Sequence, residues 1–474
     1  MNFRTRTLAP LVAALVLVGC ATVPGIDPAT LPVVPMAFKE GNARWTQADP
    51  AQAQPRGQWW QVFADATLDD LEARAAERNN SIRIAVARLT QARALVKSAD
   101  ADRAPQIGVG AEVTRQGGTL ARAQGSDGTL GQAGATLSYE VDLFGRLREA
   151  SRAAQLDAEA QAALLADARL LVQANVAQTY LAIRAVDAER ALVRQTVAAY
   201  RDTLTLTEQR FEAGDVAELD VARVRTELAA NESAALALDR QRSTLEHGLA
   251  VLLGEAAADF SLAETGWDTA LPSIPAGIPS TVLTRRPDVA AAQRSMLAAQ
   301  SRVGVAKAAW FPDLSLTANG GYASTDLGDL FKWSTRAWGI GALLSLPIFD
   351  GGRRDAAIER SAAELDVALA SYREQVLVAF RDVEDQLAAL RLLDQQAEAQ
   401  SRAVDSAARA TVLSDYRYRD GLVSQLELLD ARRSELANRR AAVQVRSARF
   451  QATVGLIRAL GGDWGEPVKT SAES

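Results

Sequence analysis

Cysteine and histidine, the side chains that most often hold metals or act as nucleophile and base, occur once each in this chain, as Cys20 and His247. A thiolate–imidazole zinc site needs several such ligands and a disulfide needs a second thiol, so one protomer can build neither, nor a Cys–His catalytic pair. His247 stands in an Ala/Leu-rich helical stretch, where a packed or solvated imidazole is the ordinary outcome, and no role is assigned to it. The chain holds no Walker A sequence, no H-E-x-x-H and no G-x-G-x-x-G set between strand and helix. No cofactor, metal or catalytic residue is therefore expected, and the chain is not read as an enzyme. What remains is carboxylate chemistry. Leu426 and Asp430 stand four apart and share one face of a helix, with Glu427 three positions before Asp430. By itself that spacing also describes a solvated acidic face.

Cys20 owes its interest to what precedes it. Arg4 and Arg6 are followed by an apolar run from Leu8 to Val18, too short to cross a bilayer as a helix and laid out like a secretory signal peptide. The run ends in Leu17-Val18-Gly19-Cys20, which resembles the bacterial lipobox, where small residues admit the peptidase and the cysteine sulfur takes diacylglycerol. Residues 1–19 are then a signal peptide and Cys20 carries the lipid. An ordinary signal peptide followed by an unmodified cysteine is the alternative. Ala21 stands where an Asp would resemble the inner-membrane retention signal, so the resemblance points to a lipid anchor in the outer membrane.

The charge balance excludes another class. With 52 Lys+Arg against 58 Asp+Glu the net charge is -6, which leaves no basic surplus for phosphate backbones, and no nucleic-acid partner is expected. Pro24, Pro28, Pro32, Pro35, Pro50 and Pro55 keep residues 20–58 out of helix and suit an extended tether.

Beyond the tether the chain repeats itself. Pro105 and Pro312, Arg146 and Arg353, and Gly214 and Gly421 are each 207 residues apart, in matching local sequence. One register held over such a length marks a tandem duplication of a helix-strand-strand-helix-helix unit, 59–270 and 271–462, followed by a tail, 463–474. No proline falls between Gln106 and Leu271 or between Ile348 and Glu466, so very long helices are possible there. In the second unit Ile358, Ala362, Leu365, Leu369, Tyr372, Val376, Ala379, Val383, Leu387 and Leu390 alternate four- and three-residue steps, the seam of a coiled coil. The first unit answers with Leu156, Ala160, Ala163, Leu170, Ala174, Ala177 and Leu181. A helix from about Arg148 to Arg210 would be about 95 Å long. Breaks are expected at Ala213-Gly214 and Asp420-Gly421, with Ser424-Gln425-Leu426-Glu427 as a capping box that restarts the second helix.

Between helices lie two candidate hairpins, within 106–143 and 313–349. Ile107, Val109, Ala111 and Val113 alternate with polar or small residues, as do Ala135, Leu137, Tyr139, Val141 and Leu143. Leu314, Leu316 and Ala318, then Trp338, Ile340, Ala342, Leu344 and Leu346, repeat the pattern. Strands of about ten residues with one apolar face suit a transmembrane barrel. They also suit a half-buried soluble sheet, but Trp310, Phe311, Tyr322, Phe331, Trp333, Trp338 and Phe349 gather near strand ends as interfacial aromatics do. Four strands cannot close a barrel in lipid, so copies of the chain must pool theirs.

Leu271-Pro-Ser-Ile-Pro-Ala-Gly-Ile-Pro-Ser280, Arg285-Arg286-Pro287-Asp288-Val289, Trp310-Phe311-Pro312 and Ala459-Leu460-Gly461-Gly462 resemble the TolC family of outer-membrane efflux channels, in its lipoprotein branch serving RND-type tripartite pumps. The resemblance implies a mainly α fold with a small β part: long coiled-coil helices forming a periplasmic cylinder, and four transmembrane strands given to a trimeric twelve-stranded β-barrel. It implies a homotrimer, partnered by a periplasmic adaptor and an inner-membrane RND-type pump, acting as a passive exit duct for drugs or other small molecules. A non-conducting coiled-coil lipoprotein, or the duct of type I secretion or heavy-metal efflux, are the alternatives. A scaffold, however, has no use for two amphipathic hairpins in register with the duplication. The segment Leu426-Glu427-Leu428-Leu429-Asp430-Ala431 resembles the one that narrows the family's periplasmic end. Around a threefold axis Leu426 would form an apolar collar and Asp430 a carboxylate ring, with Tyr418 and Arg417 before the tip and Asp220 as the acidic partner from the first repeat. Val423 stands where some members carry a basic gate residue.

Overall fold

The computed structural model describes residues 25–33, 35, 37–40, 58–119, 128–272, 274 and 285–462. The signal segment, Cys20, much of the tether, most of the proline-rich segment between the repeats, and the tail 463–474 lie outside the described residues.

Helices α1 (Ala66–Arg78) and α2 (Asn80–Ala101) lead into strands β1 (Gln106–Gln116) and β2 (Gly128–Val141). Helices α3 (Arg146–Glu212) and α4 (Glu218–Leu252) complete the first repeat. The second consists of α5 (Pro287–Ala308), β3 (Asp313–Ser324), β4 (Arg336–Ser345), α6 (Arg353–Arg419) and α7 (Gln425–Ala459). The helices of α2 and α5, of α3 and α6, and of α4 and α7 begin and end at positions 207 residues apart. The duplication read from a few motifs therefore fixes the boundaries of these three helix pairs.

Both α3 and α6 run for 67 residues, about 100 Å of helix at 1.5 Å per residue. Each ends at a glycine with positive φ, Gly214 at 82° and Gly421 at 71°. The next amide closes the turn, Asp215 donating to the Arg210 carbonyl and Leu422 to that of Arg417, both at 2.8 Å. A Cβ is strained in that backbone conformation, which is why the break falls on glycine. The capping box does not form. Ser424 occupies the N-cap of α7 without a side-chain bond; the helix start is tied down instead by Gln425, whose Nε2 donates to Thr207 Oγ1 at 2.9 Å.

The residues group into two compact units. One contains 87–163 and 290–375 together with the segment before Val33, and it holds the sheet. The other contains 33–86, 164–289 and the residues from Val376 onward. In the second unit the predicted seam of α6 is fully buried at Val376, Ala379 and Val383, as is that of α3 at Ala174, Ala177 and Leu181. In the sheet-bearing unit Ile358, Leu365 and Leu369 are only half-buried and Ala362 is exposed. The tether is not free where it is described. Glu384 accepts the backbone amides of Lys39 and Glu40 at 2.6 and 2.9 Å, and Arg391 pairs with Glu40 at 2.6 Å. In the sheet-bearing unit Arg373 donates to the Thr30 carbonyl.

Candidate functional site

The four strands form one antiparallel sheet in the order β1-β2-β3-β4, so β2 and β3 join the two repeats. The register decides which side chains share a face. Ile107 lies opposite Leu137, Leu137 opposite Ala318, and Ala318 opposite Ile340. Val109, Ala135, Gly320 and Trp338 make the next row, and Tyr139, Leu316 and Ala342 another. Ile107, Val109, Leu137, Leu316, Ile340 and Leu344, among the alternating apolar positions read from the sequence, therefore fall on one face. Several of its large residues are exposed in the chain, Val109 at 87% and Ile340 at 81% among them. Apolar area left in water on this scale marks a surface that is covered by something.

The other face is small and polar. Gln106, Ser138 and Thr317 share one row, Gly108, Thr136 and Asn319 a second, and Glu112 and Gln132 a third, with Leu130 and Leu343 the large apolar exceptions. Glycine is required where strands pack most tightly: a Cβ on Gly321 would meet the Ala133 carbonyl at 2.2 Å. Strand β2 begins at Gly128, before the expected Ala135, and ends at Val141, leaving Leu143 outside. Gly131 on the apolar face and Leu130 on the polar one interrupt the apolar alternation without interrupting the pairing. At the helix end of the sheet Arg146 pairs with Glu140 at 2.6 Å, Phe144 stacks on Phe311 at 4.6 Å, and the Arg354 guanidinium sits 4.2 Å from the Trp310 ring centre.

The tip of the second unit brings the expected gate residues to one end of α6 and α7. Leu428 and Leu429 are buried, Leu429 against Tyr200 and Val224, so α7 is held by its inner face. Burial pushes the Tyr200 hydroxyl up to about 12, with Glu227 adding to the rise, so it stays protonated at any physiological pH. Leu426, Glu427 and Asp430 point the other way and are exposed. Tyr418 accepts a hydrogen bond from Arg210 at 3.2 Å; Arg417 is exposed; Asp220 pairs with Arg223 at 3.6 Å. Within the chain, Asp220 is not joined to Tyr418 or Arg417 by any contact among the described residues.

Four partners, Arg210, Thr207, Glu227 and Arg433, escaped the sequence reading. Arg210 is the counterpart of Arg417 one repeat earlier, a signal the offset of 207 contained. Arg433 bonds Asp430 and also lies 3.4 Å from Glu227, so the Asp430 carboxylate is paired rather than bare. The bond to Asp430, with the nearby Glu227 charge, raises the Arg433 guanidinium above its ordinary value. Together Arg210–Tyr418, Gln425–Thr207 and Arg433–Glu227 tie the α6/α7 tip to the α3/α4 tip.

The quoted sequence motifs have a structural reason as well. Arg286 donates to Asp288, to Asp382 and to the Ala459 carbonyl at the end of α7. One repeat earlier, Asn79 does the same for the end of α4, donating to the Leu252 carbonyl at 2.7 Å. Gly461, at φ 92°, lies so close to Arg285 that a Cβ would meet its carbonyl at 2.8 Å.

The outer membrane efflux protein family matches the chain twice, over residues 71–255 and 278–462. The chain belongs to that family. The two matches begin 207 residues apart, which is the repeat seen in the helices. This efflux protein is 34% identical over 470 residues to the pyoverdine export outer membrane protein OpmQ of Pseudomonas aeruginosa, covering 97% of each chain. It is 30% identical over 462 residues to the cation efflux system protein CusC of Escherichia coli, covering 96% of this chain and 98% of the other. The solved structure of the outer-membrane channel OprN superposes with a TM-score of 0.86 at 29% identity, over 94% of this chain and all of the other. The protein is thus an outer-membrane efflux component, and its mainly helical fold with a small sheet is that of the solved channels.

Proposed function

We propose that three copies of this efflux protein pool their strands into a closed twelve-stranded barrel and act as a passive exit duct for small molecules. The observation that carries this is the sheet: one exposed apolar face, one polar face, and two outer strands, β1 and β4, each paired on one side only. An open strand edge in hydrocarbon leaves backbone N–H and C=O groups unsatisfied at several kcal/mol each, so closure against further copies is the stable solution. The polar face then lines the lumen. The helices continue the duct on the periplasmic side as a cylinder, and their tips, with Leu426, Glu427, Asp430, Tyr418, Arg417 and Asp220, narrow its end. A periplasmic adaptor docks there and an inner-membrane RND-type pump delivers the cargo. The duct itself makes and breaks no bond. Relatives named for pyoverdine export and for cation efflux match nearly the whole chain, in keeping with a polar lumen that selects little.

The purified protein in planar bilayers is expected to give discrete conductance steps. A folded oligomer that inserts and never conducts would favour the scaffold reading. Cys20 anchors the mature chain through its lipid, after removal of residues 1–19. Cys20→Ser is expected to accumulate as unlipidated precursor; radiolabelled palmitate still entering that variant would remove this element of the proposal.

A further inference from the structure

Charge is distributed unequally between the two faces of the sheet. Among strand residues of the apolar face the charged ones are Arg115 and Arg336, both arginine and both at the loop end. Strand residues of the polar face carry only acidic charge, at Glu112, Glu140 and Asp313. Arg115 is the penultimate residue of β1, and Arg336 is the first residue of β4. These are the two edge strands, which the proposed closure sets side by side.

Below each arginine the same face becomes progressively apolar. Along β4 the order is Arg336, Trp338, Ile340, Ala342, Leu344; along β1 it is Arg115, Val113, Ala111, Val109, Ile107. Same-face neighbours are about 7 Å apart along a strand, so cation, indole and aliphatic side chains follow one another over about 27 Å of β4. That is the sequence of headgroup, interface and hydrocarbon in a leaflet. Arg336 is also held in place. Its Nη1 donates to the Trp333 carbonyl at 3.1 Å, and its guanidinium carbon lies 4.6 Å from the Trp333 ring centre. The turn that carries Trp333 is closed by Thr335, whose hydroxyl donates to the Lys332 carbonyl at 2.7 Å. Trp333 and Phe331 remain exposed, at 74% and 73%. Among the described residues no carboxylate lies within ion-pair distance of Arg115 or Arg336. A guanidinium has five N–H donors, so Arg336 keeps several for an anion, and its planar fork matches phosphate.

The helices attach at the opposite end of every strand, which puts the loop end on the outside of an outer membrane whose periplasmic side holds the helices. We propose that Arg115 and Arg336 form a rim that binds the phosphate groups of an outer-leaflet glycolipid, with its acyl chains lying along Trp338, Ile340 and the β1 valines. This rests on the lipid-facing assignment of the sheet made above.

The test uses the full-length protein, delipidated in detergent and reloaded with either bis-phosphorylated lipid A or the same lipid with both phosphates removed, the retained lipid being counted by native mass spectrometry. The wild type is expected to retain the phosphorylated form roughly tenfold better, the gain of two partly desolvated arginine–phosphate contacts. Arg115→Gln with Arg336→Gln should abolish that preference while oligomer and conductance persist; Lys332→Gln, which removes a neighbouring loop cation, should leave it intact. Equal retention of both lipids by the wild type, or a loss in Lys332→Gln matching the double variant, overturns the rim. Failure of the wild type to form an oligomer or conduct would instead overturn the barrel reading on which the rim stands.

Discussion

Leu426→Ala combined with Asp430→Ala should raise single-channel conductance severalfold and admit large antibiotics such as vancomycin into cells, without loss of the oligomer. Both side chains are exposed on the face of α7 opposite its packing contacts, while Leu428 and Leu429 hold the helix to Tyr200 and Val224. Truncating the exposed pair would therefore remove bulk and charge from the proposed opening and leave the helix seated. In the proposed trimer the carboxylates of Asp430 would converge on the threefold axis, and convergent like charges attract multivalent cations far more than one exposed Asp does. The pairing with Arg433 adds a sign that separates this ring from a solvated acidic face. Asp430→Ala should weaken block by divalent or trivalent cations, whereas Arg433→Ala, which leaves Asp430 unpaired, should strengthen it. Unchanged conductance in the double variant, with cation block indifferent to both charges, would place the constriction elsewhere.

Ile340→Arg should sharply reduce the yield of assembled oligomer, and Thr317→Arg should not. The two residues lie on adjacent strands, Ile340 on the apolar face and Thr317 on the polar one. An arginine on the lipid face costs about 2 to 4 kcal/mol at the midplane, once per copy, so three copies place the barrel under several kcal/mol of destabilisation. The same side chain facing a wet lumen keeps its hydration. Heat-resistant oligomer on gels, measured for both variants after outer-membrane isolation, reads the difference; equal losses would mean that the faces are wrongly assigned.

The parts of this architecture that were legible in the sequence are those written as periodicity. Seam residues such as Val376, Ala379 and Val383 repeat at coiled-coil steps and are buried, and Ile107, Leu137 and Ile340 obey a period of two and share a face. The start of β2 was hidden because Gly131 contributes backbone pairing but no apolar side chain to its face, while Leu130 falls on the polar face. The capping box expected at Ser424 does not form, and the bond made at that helix start, Gln425 to Thr207, spans 218 positions and is reported by no local pattern. Charge partners were hidden for the same reason. Asp430 and Glu227 look like independent surface acids until α4 and α7 bring both to Arg433. Strand order was equally silent, since pairing of β2 with β3 joins two copies of one repeat whose sequences do not name their neighbour.

Cross-linking the two edge strands between copies tests the pooled barrel most directly. Cysteine placed at Ile340 on β4, together with one at Ile107, Val109 or Ala111 on β1, in protein whose Cys20 sulfur is blocked by its lipid, samples the registers that closure allows, and a disulfide forms only where Cβ atoms come within about 4.5 Å. Oxidation should give, for at least one of these pairs, a covalent ladder in denaturing gels that ends at three chains. Folded, membrane-inserted protein that yields no ladder with any pair, or one that ends at two chains, would contradict a barrel closed by three copies.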